Sequence, residues 1–155
     1  RNDTMENTPP ATIAARFEAQ RQAFLKEPNP TYEARLSRLD RLLALTDANE
    51  AAVVSAIDAD FSGRAAQETR AAELFVAAAG IRHARRHLKR WMRVRRVPTA
   101  LHFCPGYNRL MAQPLGVVGI VSPWNYPLQL ALAPFGHLVL HRVQQVLVPL
   151  APLVP

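Results

Sequence analysis

The stretch Gln113–Pro134, QPLGVVGIVSPWNYPLQLALAP, restricts the fold more than any other part of the sequence. Gly116–Val121 is a short apolar run rich in β-branched residues, the pattern of a buried strand. Ser122-Pro123 is expected to stop that strand. Trp124-Asn125-Tyr126 then makes a tight corner. Pro127 stands where a helix can begin, because its missing N–H is not needed in a first turn. Leu128, Leu130, Leu132 and Ala133 carry the helix away. Strand, corner and helix in this order open a nucleotide-binding α/β unit, and ligands gather at the carboxyl ends of such strands. The fold class expected is α/β.

Upstream the sequence is helical. From Thr12, Ile13, Phe17, Phe24 and Leu25 fall on one helical face, and Pro28-Asn29-Pro30 breaks the pattern. Thr31 is a plausible N-cap for a second helix, whose stripe is Leu36, Leu39, Leu42 and Leu43 with Arg35, Arg38 and Arg41 around it. Asp47 with Glu50 has capping-box spacing for a third helix, which buries Val53, Val54 and Ile57. Asp58–Arg64 reads as a loop, with Gly63 as a C-terminal stop. A long fourth helix is expected over 65–92. Its seam, Leu74, Ala77, Ile81, Ala84, Leu88 and Trp91, has 3-4-3-4-3 spacing. Two of these six positions are only alanine, so packing against neighbouring helices fits better than an isolated coiled coil. Val97–Phe103 and Tyr107–Ala112 then read as two extended segments, a β-hairpin around Cys104-Pro105-Gly106.

Composition bounds the function. The 155 residues are 49% hydrophobic and 20% charged, which is globular. The single cysteine, Cys104, permits no disulfide within the chain. The leading RNDTMENTPP has no apolar core of a secretory leader, and no run of about 18 apolar residues suggests a membrane span. The expectation is a cytoplasmic protein with no membrane partner. The net charge of +7 is uneven: twelve Asp/Glu face nine Lys/Arg up to Glu73, and ten Lys/Arg with no acid follow. Arg82, Arg85, Arg86, Lys89, Arg90, Arg93, Arg95 and Arg96 are dense enough to suggest phosphate contacts. Most of them lie off the apolar seam, as a solvated face would, and aromatic interleaving is poor. Nucleic-acid binding is therefore the weaker reading. His83/His87 and His137/His141 have i, i+4 spacing but no third ligand, so no metal site is expected.

Several blocks carry a family resemblance: ADFSGR, QETRAAE, HLKRWM, the Val97-Pro98 approach to the hairpin, and PLGVVGIVSPWNYPL with PWNYP as its specific part. In this order, over roughly residues 13–134, the chain resembles the aldehyde dehydrogenase superfamily, and most closely its coniferyl-aldehyde and fatty-aldehyde-like branch. The resemblance implies NAD- or NADP-dependent oxidation of an aldehyde, of the aromatic coniferyl type, to a carboxylic acid. It implies that Asn125 donates its side-chain amide to the oxyanion formed when a cysteine attacks the aldehyde. It places Val121, Ser122, Pro123 and Trp124 along the cofactor cleft, and makes the hairpin an oligomerisation arm, hence a homodimer.

The resemblance also implies an organisation: a disordered lead over 1–10, an N-terminal helical region over 11–96, the hairpin arm over 97–113, the start of a Rossmann-like NAD(P)-binding domain over 114–134, and a divergent tail over 135–155. The tail, FGHLVLHRVQQVLVPLAPLVP, lacks the Ala-Gly-Asn turn and the Lys-Pro-Ser-Glu strand end of the family, and a shifted reading frame is the suspected cause. Val146–Pro149 still reads as a second strand. The family's nucleophilic cysteine and its glutamate base have no match in this sequence. Cys104 precedes the corner, in a Pro-Gly turn, and reads as an ordinary cysteine. The chain is expected to be an inactive N-terminal fragment. The alternative is a non-catalytic remnant that acts by association.

Overall fold

The computed structural model describes residues 9–138 and 145–149. Most of the expected lead (1–8) and much of the tail (139–144 and 150–155) lie outside the described residues. Helix α1 spans Pro10–Lys26, two residues earlier than Thr12, because a proline is tolerated in a first turn. It ends before Pro28. None of its residues is buried, and Phe17 and Leu25 are exposed. Its apolar face borders an open cleft against the segment 117–121, lined by Ile13, Ala14, Phe17, Val117 and Val121.

Helix α2 spans Tyr32–Ala48. The Thr31 hydroxyl accepts the Ala34 N–H at 3.2 Å, so this N-cap is as expected. Leu39 is fully buried, and Leu36, Leu42 and Leu43 pack partly around it. Arg35, beside the apolar stripe, is 2% exposed. Its Nε donates to the Pro30 carbonyl at 3.1 Å, so it ties the Pro-Asn-Pro break to the helix.

Helix α3 spans Glu50–Asp60, and its start is a correction. Asp47 lies inside α2, and Asn49 is the junction, with no side-chain cap on α3. Its amide instead donates back to the Leu45 carbonyl at 2.7 Å and closes α2. Glu50 is drawn away from a capping box by Arg70, at 2.7 Å. Gly63 does stop α3: its φ is +117°, and its N–H bonds to the Asp58 carbonyl at 3.0 Å.

The expected long helix forms as one rod in three parts. These are α4 (Ala66–Glu68), a π-helical turn (Thr69–Phe75) and α5 (Val76–Trp91). The π register is unexpected. It turns Thr69, Glu73 and Leu74 inward together. The seam is buried from Leu74 through Ala77, Ile81, Ala84 and Leu88, with Ala78 added and Trp91 half-buried. Leu39, Ile81, Ala84 and Leu88 make the core between α2 and α5. The small alanines let neighbouring helices come close, and α5 packs on both α2 and α6.

Strands β1 (Arg95–Val97) and β2 (Asn108–Leu110) pair antiparallel, Arg96 opposite Arg109. The hairpin is shorter than expected. Leu101–Phe103 turns as a 3-10 helix, so only the start of the first extended segment is strand. Both opposed arginines find the Tyr107 ring, with guanidinium carbons 5.4 and 4.7 Å from its centroid. Strand β3 (Val118–Ser122) starts later than expected and includes Ser122. It is buried on one face only, at Ile120 and Ser122, while Val121 is exposed. Helix α6 (Pro127–Leu138) follows, with Pro134 inside it. Strand β4 (Gln145–Pro149) then lies parallel to β3, Ile120 opposite Leu147. Parallel pairing across a helix is the β–α–β unit that the corner predicts.

Candidate functional site

The site is the corner between β3 and α6, at the carboxyl end of the parallel pair. Three side chains build it. Ser122 is buried, and its hydroxyl donates to the Pro127 carbonyl at 2.8 Å, closing the corner across five positions. Arg64, at the end of the α3–α4 loop, donates from Nη1 to the Asn125 carbonyl at 3.1 Å. Glu73, from the π turn, accepts the N–H groups of Leu128 at 2.8 Å and Gln129 at 3.2 Å on one oxygen. Its other oxygen accepts from Arg64 at 3.2 Å.

Glu73 is fully buried. A helix N-terminus offers unpaired N–H groups and a partial positive charge, which favour an anion. In α6 that anion is the Glu73 carboxylate. Pro127 has no N–H, Leu128 and Gln129 are taken by Glu73, and the Leu130 N–H bonds to the Tyr126 carbonyl at 3.0 Å. The first turn therefore has no donor left for a phosphate. The dinucleotide phosphates, which bind at helix N-termini in many α/β folds, are excluded from this one.

Arg64 is the hub. It lies between the Phe61 and Tyr126 rings, its guanidinium carbon 4.6 Å from each centroid. It also holds Glu68 at 2.9 Å. Burial acts to lower its pKa, but the Glu68 hydrogen bond and the charges of Glu68 and Glu73 outweigh that and raise it above the ordinary arginine value. Arg64 is thus a permanent cation between carboxylates and aromatic faces.

The residues expected at the site are brought together here, on different terms. Asn125 is exposed, and its side-chain amide has no hydrogen-bond partner among the described residues. Trp124 is 64% exposed, with Phe61 at 6.3 Å between ring centroids. Val121 and Pro123 are exposed beside it. Ser122 differs: its hydroxyl is spent on the corner itself. Cys104 is exposed in the hairpin turn, on a different element. The His83 and His87 rings stack at 4.1 Å, and no group of three metal-ligating side chains occurs among the described residues. The arginines of α5 are exposed, and Arg85 pairs with Asp40 at 2.7 Å.

Arg64 and Glu73 are not legible as site residues from sequence. They lie far from the corner along the chain, and Arg64 sits in a segment that reads as loop. The signals available are that Arg64 and Glu73 close two of the family blocks, ADFSGR and QETRAAE, and that Glu73 adjoins Leu74 one helical turn before Ala77 of the apolar seam, where a charge needs a partner.

Comparisons with known proteins bear on the family and the fold. The family model described as the aldehyde dehydrogenase family matches residues 3–142. A probable coniferyl aldehyde dehydrogenase of Pseudomonas aeruginosa is 41% identical over 122 residues, covering 79% of this chain and 26% of that protein. A coniferyl aldehyde dehydrogenase of a Pseudomonas species is 34% identical over 125 residues, covering 80% and 25%. The chain thus spans about a quarter of the length of these relatives. Among solved structures, the substrate-bound Staphylococcus aureus AldH superposes with a TM-score of 0.80 at 24% identity, over 87% of this chain and 29% of that one. A Streptococcus pyogenes succinic semialdehyde dehydrogenase in complex with NADP+ gives 0.79 at 18% identity, over 93% and 30%. With the fold matched by these structures and nearly the whole chain matched by the family model, the chain belongs to the aldehyde dehydrogenase family.

Proposed function

We propose that this chain supplies the amino-terminal part of an NAD- or NADP-dependent dehydrogenase that oxidises an aromatic aldehyde of the coniferyl type to its acid. The observation that carries the reading is the exposed Asn125 amide, unpartnered among the described residues, on an otherwise pinned corner. In the reaction a thiolate adds to the aldehyde carbonyl, and the carbonyl oxygen becomes an oxyanion. A preorganised amide N–H stabilises that charge where it develops. A bound nicotinamide would supply the hydride acceptor that turns this adduct into a thioester, and water activated by a base would hydrolyse the thioester to the acid. Asn125 is the oxyanion donor in this scheme. Val121, Pro123 and Trp124 would border the cofactor, and Ser122 would contribute through its backbone because its hydroxyl is committed. Cys104 is not the nucleophile. The hairpin joins two copies of the enzyme.

The test has two arms. The 155-residue chain is mixed with NAD or NADP and a benzaldehyde-type substrate, and no NADH or NADPH formation is expected. In a chimera, residues 10–138 replace the matching segment of the coniferyl aldehyde dehydrogenase of the Pseudomonas species. Aldehyde-dependent cofactor reduction is expected to persist. A folded but inactive chimera, or turnover by the chain alone that Cys104→Ala removes, overturns the reading.

A further inference from the structure

We propose that Arg64 and Glu73 act together as a positioning clamp that sets the direction of the Asn125 side chain. The proposal rests on the reading of Asn125 as the oxyanion donor. An oxyanion donor works only if it already points where the charge appears, and a misplacement of about 1 Å costs on the order of 100-fold in rate. The Asn125 side chain has no bond of its own among the described residues to hold it. Its direction is therefore inherited from its main chain. The carbonyl and the Cβ leave the same Cα, and the peptide is planar, so a carbonyl held by Arg64 at 3.1 Å restricts where the Cβ points. On the other side of the corner, Glu73 holds the N–H groups of Leu128 and Gln129, which anchors the helix that Asn125 leads into. The two anchors are joined, since Arg64 Nη1 also reaches Glu73 at 3.2 Å.

Capping α6 does not require this arrangement. A serine, threonine, aspartate or asparagine beside the helix does the same with no buried charge. A buried ion pair adds little net stability, because desolvation offsets its attraction. What a carboxylate reaching across from the π turn adds is a fixed relation between the corner and the helical layer behind it. Glu73 and Arg64 touch no substrate in this account; they act through the main chain of the corner.

The clamp is tested on the 155-residue chain, isotopically labelled for NMR, as Glu73→Gln and Arg64→Lys variants, with circular dichroism as the check on folding. In Glu73→Gln the Leu128 and Gln129 amides are expected to exchange with solvent about tenfold faster or more. The Asn125 side-chain amide resonances are expected to move with them. In Arg64→Lys, which keeps the charge but loses the planar fork, Asn125 and the Trp124 indole are expected to shift while Leu128 and Gln129 stay protected. Faster exchange at Leu128 and Gln129 with Asn125 unmoved in both variants would reduce Glu73 to a helix cap and overturn the clamp. If Glu73→Gln does not fold, Arg64→Lys decides alone. Loss of the oxyanion reading shows elsewhere, as an Asn125→Ala chimera with undiminished turnover, and leaves these resonance shifts as they are.

Discussion

The Glu73 carboxylate accepts the Leu128 backbone N–H at 2.8 Å, although the two residues are 55 positions apart. That contact joins the π turn of the helical region to the first turn of α6. It fills the helix N-terminus with an anion from the protein itself. It also means that a buried negative charge is satisfied only if the corner is in place.

Removing that carboxylate is expected to be costly. Glu73→Ala leaves the side chain of Arg64, 8% exposed, without its buried partner and frees two N–H groups. Breaking one side of a buried pair costs about 3–5 kcal/mol. Urea unfolding followed by circular dichroism checks this; a loss below about 1 kcal/mol, the range of exposed pairs, would show that the pair is solvated in solution.

Thr69 is expected to behave in the opposite way. It is fully buried one turn before Glu73, and its hydroxyl has no hydrogen-bond partner among the described residues. Thr69→Val keeps the shape and removes a polar group whose burial costs about 1–3 kcal/mol when unpaired. The variant should be as stable as the parent or more so by up to about 1 kcal/mol. A clear loss of stability by thermal unfolding would mean that the hydroxyl is bonded in solution.

Leu88 is fully buried between α2 and α5. Leu88→Ala is expected to cost about 2–5 kcal/mol, from lost burial and the cavity left behind. A shift in urea midpoint with an unchanged slope is the signature; a changed slope would point to a looser denatured or native state.

Gly63 has open space around it, so its role is conformational. At φ +117° a side chain is strained whatever the room. Gly63→Ala is expected to destabilise by about 1 kcal/mol or more, by forcing the α3 stop out of this geometry. No loss in thermal midpoint would show that the loop has another way to end α3.

In the chimera, Asn125→Ala is expected to lower kcat by about 100- to 1,000-fold, as removal of one oxyanion donor does. KM should change little, because the amide is used only as charge develops. Steady-state kinetics at saturating cofactor measures both.

Periodicity is enough for the helices. The apolar seam from Leu74 to Leu88 and the stripe around Leu39 follow from the spacing of side chains along a helix, a local property. Thr31 as a cap, Gly63 as a stop and the strand–corner–helix around Asn125 are local in the same sense. The motif PWNYP makes the candidate donor legible only through the family resemblance. Local reading fails where neighbours compete. Asp47 and Glu50 have the spacing of a capping box, but Asn49 bonds backward to Leu45 and Arg70 takes Glu50. Nothing in the spacing of Arg35 points to Pro30, whose carbonyl accepts from its Nε.

The sequence by itself determined which segments are helical and which form the strand and corner, because each depends on residues close together along the chain, and the order of its motif blocks pointed to the family. Only the tertiary structure decided what holds the corner. Ser122, Arg64 and Glu73 reach it from β3, a loop and a π turn, and nothing in their spacing announces a shared partner. A buried carboxylate must be paired, but which N–H groups and which guanidinium pair it is settled by how the helical layer packs on α6.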